Sequence, residues 1–142
     1  MTYYDLITAL KMCALEEPNI KSAGSKDIFE LNSNPDIKYG VFYITPNQHR
    51  VDEDTVRYSL NLYYIDRWDE SDDNQLAIHS DGILKLNNII NRFNDRYPDV
   101  EVVLPANIIT FYQKFKDICA GVYMTIDFIL PNIVGCEEEY YG

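Results

Sequence analysis

The stretch TVRYSLNLYYIDR, residues 55–67, constrains what this chain can fold into more than any other. On alternate positions it reads Val56, Tyr58, Leu60, Leu62 and Tyr64 against Thr55, Arg57, Ser59, Asn61 and Tyr63, with Ile65 and Arg67 beyond. Successive side chains of a strand point to opposite faces, so this is the pattern of a half-buried strand. The pattern predicts a strand over about 54–68, roughly twice the usual five to six residues. Its apolar face needs a core. Its Thr/Arg/Ser/Asn/Tyr face needs solvent or a partner.

The flanking segments supply the rest of a sheet. YGVFYITP (39–46) is apolar on both parities, as in a central or covered strand; Pro46 closes it and NQHRVDED forms a polar loop. NIITFYQKF (107–115) and GVYMTIDFILP (121–131) alternate again, the second placing Val122, Met124, Ile126, Phe128 and Leu130 on one face, with KDICAG as a short hairpin connection.

Two helices interrupt the strands. Tyr3, Leu6, Ile7, Leu10 and Ala14 share a face at helical spacing; Thr2 caps, Asp5 favours the first turn and Pro18 stops a helix over about 3–16. After the acidic turn DESDDN, with Ser71 as its cap, Leu76, Ile83, Leu86, Ile90, Phe93 and Tyr97 mark an amphipathic helix to about Arg96. Gly82 within it signals a kink or close packing. In 19–38, DIFEL reads as a short strand and NSNPD as a turn. CEEEYYG forms an exposed acidic tail. The order predicts one α+β domain over 1–142, a mainly antiparallel sheet of about four to five strands with two helices packed on it.

Composition narrows the function classes. With 46% hydrophobic residues a full core is within reach. The net charge of -11 opposes binding to phosphates and docking on an anionic membrane. Cys13, Cys119 and Cys136 form no CxxC pair and read as reduced thiols of a cytosolic protein. No apolar run reaches a membrane span, and MTYYDLITALKMCALEE reads as a mature N-terminus without a signal peptide. The 12 tyrosines suit strands, and also protein–protein contacts, because the ring buries area while the hydroxyl stays wet.

Chemical motifs are lacking. His49 and His79 have no metal-ligand spacing, the acidic turn lacks the EF-hand frame, SAGSK (22–26) is no P-loop, and neither GxSxG nor a Cys–His arrangement occurs. Arg57 and Arg67 interleave with Ser59, Asn61 and Tyr63, as on a stacking platform for single-stranded nucleic acid, but the charge balance favours a protein interface or a solvated face. No metal, no organic cofactor and no catalytic residue are expected.

The run of helix, YGVFYITP strand, TVRYSLNLYYIDRWDESDDN strand and acidic turn, LAIHSDGILKLNNIINRF helix and closing hairpin resembles the tail-terminator and tail-completion family of tailed bacteriophages. It is similar in particular to short proteins from phages and prophages of Bacteroides-type bacteria. The resemblance covers nearly the whole chain outside 17–38 and rests most on YSLNLYYIDR with the helix after it. It implies a non-enzymatic virion structural protein of the head–tail connector or neck, assembled in the host cytoplasm. Copies would close into a ring of roughly six or twelve around the DNA channel and meet other connector, portal-proximal or tail proteins. DNA would pass without specific binding, and no membrane is involved. On that reading Arg57, Asn61, Tyr63, Arg67 and, at the strand end, Trp68 are the candidate subunit interface. The competing classes are an intracellular protein-binding adaptor without catalytic activity and a small hydrolase with a carboxylate site of unfamiliar pattern.

Overall fold

The computed structural model describes residues 1–25, 40–68, 72–114 and 118–132. The expected short strand in 27–31, the turn after it, the acidic turn at 69–71 with Ser71, and the C-terminal tail lie outside the described residues. The elements are α1 (Tyr3–Leu15), β1 (Ser22–Gly24), β2 (Val41–Val51), β3 (Thr55–Arg67), α2 (Asp72–Arg96), β4 (Glu101–Val103), β5 (Ile108–Lys114) and β6 (Ile118–Pro131). They make the expected α+β domain, with a sheet of six strands where four to five were expected, in the order β1-β2-β3-β6 with β4 and β5 both on the far edge of β6. β1 pairs in parallel with β2; the other pairings are antiparallel.

The long strand is the spine. β6 matches β3 residue for residue from Thr55↔Pro131 to Arg67↔Cys119, and β2 flanks it from Val56 to Ile65. Its length is therefore used within its own sheet. Leu60, Leu62 and Tyr64 join Phe42, Ile44, Val122, Ile126 and Phe128 in the main core, under Leu6 and Leu10 of α1 and Leu86, Ile89 and Phe93 of α2. Both helices thus cover one face, as apolar periodicity in the strands and helices demands.

Three boundaries differ from the sequence reading. Pro46 does not close β2, which runs on to Val51 through a register shift between Pro46 and His49. β1 reaches only Tyr43 on the outer side, so beyond it β2 is an edge among the described residues, and an edge tolerates a residue without an N–H. Residues 47–51 of the expected polar loop are thus exposed strand, and only Asp52–Asp54 remain as the connection to β3. β4 was not anticipated; it and β5 lie along the same edge of β6, interrupted by a cis Leu104–Pro105 peptide. β6 begins at Ile118, so the last four residues of the expected KDICAG connection are strand.

The phase of α2 also differs. Leu76 is 65% exposed and Ile83 is exposed too, while Ile78, Leu86, Ile89, Ile90 and Phe93 are buried. Gly82 is a close-packing position: a β-carbon there would sit 2.7 Å from Val122 Cγ2 and 2.8 Å from Tyr64 Cδ2. At Gly121 the backbones of β6 and β3 approach so closely that a β-carbon would lie 2.1 Å from the Tyr64 carbonyl oxygen.

Polar side chains fasten the helices. Thr2 and Asp5 form a capping box, Asp5 N donating to Thr2 Oγ1 at 3.2 Å and Thr2 N to Asp5 Oδ2 at 2.9 Å, and these bonds hold the Asp5 carboxyl below its ordinary range. α1 has no basic residue in its last turn. Arg92 of α2 serves instead, donating to the Cys13 carbonyl at 2.9 Å, and Arg96 pairs with Glu16. His79 Nε2 lies 3.0 Å from the Phe111 carbonyl oxygen, tying α2 to β5.

Under α2, Lys85 is buried. Its Nζ donates to Asp81 Oδ2 at 2.6 Å and sits 5.5 Å from the centre of the Tyr64 ring. The Tyr64 hydroxyl donates to Asp66 at 3.2 Å and Asp81 at 3.3 Å. Burial, then the negative charges of Asp66 and Asp81, push the Tyr64 phenol well above its ordinary 10.0.

Candidate subunit interface

The other face of the sheet carries no helix among the described residues. The registers lay it out as rows across β2, β3 and β6. At the hairpin end Arg50 lies beside Arg57, which neighbours Ile129. Arg57 Nε donates to Asp127 Oδ2 at 2.7 Å. Burial raises the Asp127 carboxyl, but hydrogen bonds from Ser59 and Arg57 and the Arg57 charge outweigh it and leave it below its ordinary range. Asn47 Nδ2 donates to Ser59 Oγ at 3.1 Å. These groups border a depression of about 280 Å³ lined by Asn47, His49, Arg50, Arg57 and Asp127 among others.

One row further, Thr45, Asn61 and Thr125 are neighbours: Asn61 donates to Thr45 Oγ1 at 3.4 Å and Thr125 Oγ1 donates to Asn61 Oδ1 at 2.7 Å. The following row holds three tyrosines, Tyr43, Tyr63 and Tyr123. Tyr63 and Tyr123 stack with centroids 5.3 Å apart, and the Phe111 ring stands edge-on to Tyr63 at 6.3 Å. Next come Val41 and Ile65, which form a small second core with Tyr43 and with Cys119, the neighbour of Arg67 one row on. The face therefore grades from ion pair, through hydroxyl and amide, to aromatic and apolar.

Of the five residues expected at the interface, Arg57, Asn61, Tyr63 and Arg67 lie on this face, because they share one parity of β3. Trp68 does not join them: it packs against the main core on the helix side, its ring 5.0 Å from that of Tyr112. Three of the four are also more engaged within the subunit than solvated side chains, since Arg57, Asn61 and Tyr63 each have a partner on β6. Thr45, Tyr43, Tyr123, Thr125 and Asp127 were not singled out in the sequence. The alternation of β6, with Thr125 and Asp127 between Met124, Ile126 and Phe128, is the signal that places two of them.

Among the described residues no group of three His, Cys, Asp or Glu side chains is placed to hold a metal ion, and no helix is long and apolar enough to cross a membrane. A second cleft of about 380 Å³, lined by Tyr97, Pro98, Val100 and Leu130 among others, is mainly apolar and holds no nucleophile–base pair. Burial raises the Cys13 thiol, so it is a poor nucleophile at neutral pH. Compared with models of known protein families and with curated proteins, the sequence gives no match.

Proposed function

We propose that this chain is a non-catalytic building block of the neck or tail of a tailed bacteriophage, closing with copies of itself into a ring of roughly six or twelve around the DNA channel. It works in the virion, after assembly in the host cytoplasm, alongside other connector or tail proteins, and without a cofactor. The observation that carries the reading is the graded sheet face, which bears no helix among the described residues, with its row of Tyr43, Tyr63 and Tyr123. The half-buried Tyr63 and Tyr123 and an arginine already held in place by Asp127 match the composition and preorganisation of contact surfaces. The resemblance of element order to the tail-terminator family points the same way. The net charge of -11 suits a wall along which DNA slides, since it repels phosphate.

The test is a combined Arg57→Ala and Tyr63→Ala variant, measured for melting temperature and for native mass. The Arg57–Asp127 pair is partly exposed, so its loss costs the subunit at most about 1 kcal/mol. At an interface, truncating Arg or Tyr costs at least about 2 kcal/mol per contact, and a ring repeats it at every contact. The variant should fold and lose the ring. A wild-type chain that stays a single subunit at all concentrations refutes the ring and favours the adaptor. A variant that keeps the ring moves the interface elsewhere.

A further inference from the structure

A sheet edge is a row of unpaired backbone donors and acceptors, and folded chains blunt such edges with prolines, bulges, charges or a cover. The two edges here are treated differently. On one side β1 covers β2 over Val41–Tyr43, and beyond it Pro46 and the bulge between Pro46 and His49 spoil the remaining edge. On the other side β5 pairs with β6 without a register break from Ile108 to Lys114, and no described strand lies outside it. Ile109 is 49% and Tyr112 56% exposed. The stretch IITFYQ has high strand propensity, no proline, no glycine and no charge.

The charge map says what can approach it. The chain carries 23 carboxylates, yet residues 102–116 contain none. Two copies at -11 each repel one another over most of their surfaces, and least where carboxylates are missing. A strand whose one charge, Lys114, stands at its end sets no charge opposite its like when laid antiparallel on itself about Phe111. Centred on Phe111, such a pairing sets Phe111 opposite Phe111, Thr110 opposite Tyr112 and Ile109 opposite Gln113, and aromatic and β-branched cross-strand pairs are favourable. The blunted β2 edge would leave the joined sheet nowhere to grow, so the contact stops at two copies and does not propagate into a fibre.

We propose that β5 pairs antiparallel with β5 of a second copy about a two-fold axis, making one continuous sheet. This pairing does not rest on the ring reading. An isologous contact closes on itself, and it leaves the graded face free.

The test uses the wild-type chain and an Ile109→Lys, Thr110→Lys variant, both substitutions at exposed positions. Sedimentation should give a wild-type mass that is an even multiple of the subunit, and the variant should halve the assembly while keeping its melting temperature. Amide exchange tests the pairing without any substitution. Where exchange passes through the free subunit, β5 amides should slow by about tenfold for a hundredfold rise in concentration, by mass action of a two-copy equilibrium. Concentration-independent β5 exchange, an odd-numbered assembly, or a variant of unchanged mass would each overturn the proposal. The Arg57→Ala, Tyr63→Ala variant should leave β5 protection intact, so failure of the ring and failure of this pairing are distinguishable.

Discussion

The Glu17 carboxylate, just past the end of α1 and only 4% exposed, accepts a hydrogen bond from Arg92 Nη2 of α2 at 2.7 Å. Asn88 Nδ2 completes its shell at 3.1 Å. Because Arg92 also donates to the Cys13 carbonyl, one guanidinium ends α1 and neutralises the acid beside it.

Removing one partner of such a pair strands a buried charge. Arg92→Ala should destabilise the fold by on the order of 3 kcal/mol in denaturant unfolding. Glu17→Gln keeps a group that can hydrogen-bond and should cost less. The double variant should cost less than the sum of the two, and strict additivity would mean the pair is not coupled.

The phase of α2 makes a sharp contrast. Leu86 is fully buried and Leu76 largely exposed. Leu86→Asp should leave the chain unfolded, and Ile90→Asp likewise, because each buries an unpaired carboxylate. Leu76→Asp should change stability by no more than about 0.5 kcal/mol. Equal melting temperatures for the Leu76 and Leu86 variants would show that the helix is wrongly rotated.

Gly82→Ala sets two effects against each other. Alanine favours a helix interior by about 1 kcal/mol over glycine. Its methyl group would meet Val122 and the Tyr64 ring well inside contact distance, and overpacking costs about 1–3 kcal/mol. Val122 is branched at Cβ and Tyr64 is fully buried, so neither yields easily. The variant should melt below wild type; a higher melting temperature would mean the helix lifts off the sheet at little cost.

Tyr64 supplies a pH test. Its folded pKa lies above the unfolded 10.0, so the neutral phenol contributes stability that is complete below pH 10.0 and is lost as pH rises through the folded value. In a spectrophotometric titration one phenol should stay neutral until the chain unfolds in alkali. Tyr64→Phe should remove that late absorbance change. Ionisation of all 12 tyrosines before any loss of circular dichroism would contradict the buried hydroxyl and its two aspartates.

What was legible in the sequence follows from which forces are local. The alternation in 55–67 placed β3 to within a residue because one face of that strand meets a core along most of its length. Thr2, Asp5 and Pro18 bounded α1 because caps act within a turn. Pro46 misled because whether a proline ends a strand depends on what lies beside it, and a neighbouring strand is not a local property. Leu76 and Ile83 misled because a helix 25 residues long drifts relative to a seven-residue repeat. The burial of Lys85 had no signal either, since its partners Asp81 and Tyr64 come together only on folding. On the candidate face, parity picked out Arg57, Asn61, Tyr63 and Arg67. It could not pair Arg57 with Asp127 or stack Tyr63 on Tyr123, which are 70 and 60 positions away along the chain.

The grading of the open face has a consequence for alignment. A uniformly greasy surface accepts a partner in many offsets, because a slide costs little. Here each step of two residues along the strands, about 6.6 Å, changes the chemistry of the row from ionic to amide to aromatic. A mate displaced by one step would set a ring over Asn61 and Thr125, and one displaced by two steps a ring over Asp127 or a carboxylate over Tyr123. A mate turned end for end would mismatch at both extremities. The surface works as a vernier: it distinguishes up from down and reports offset in units of one pleat.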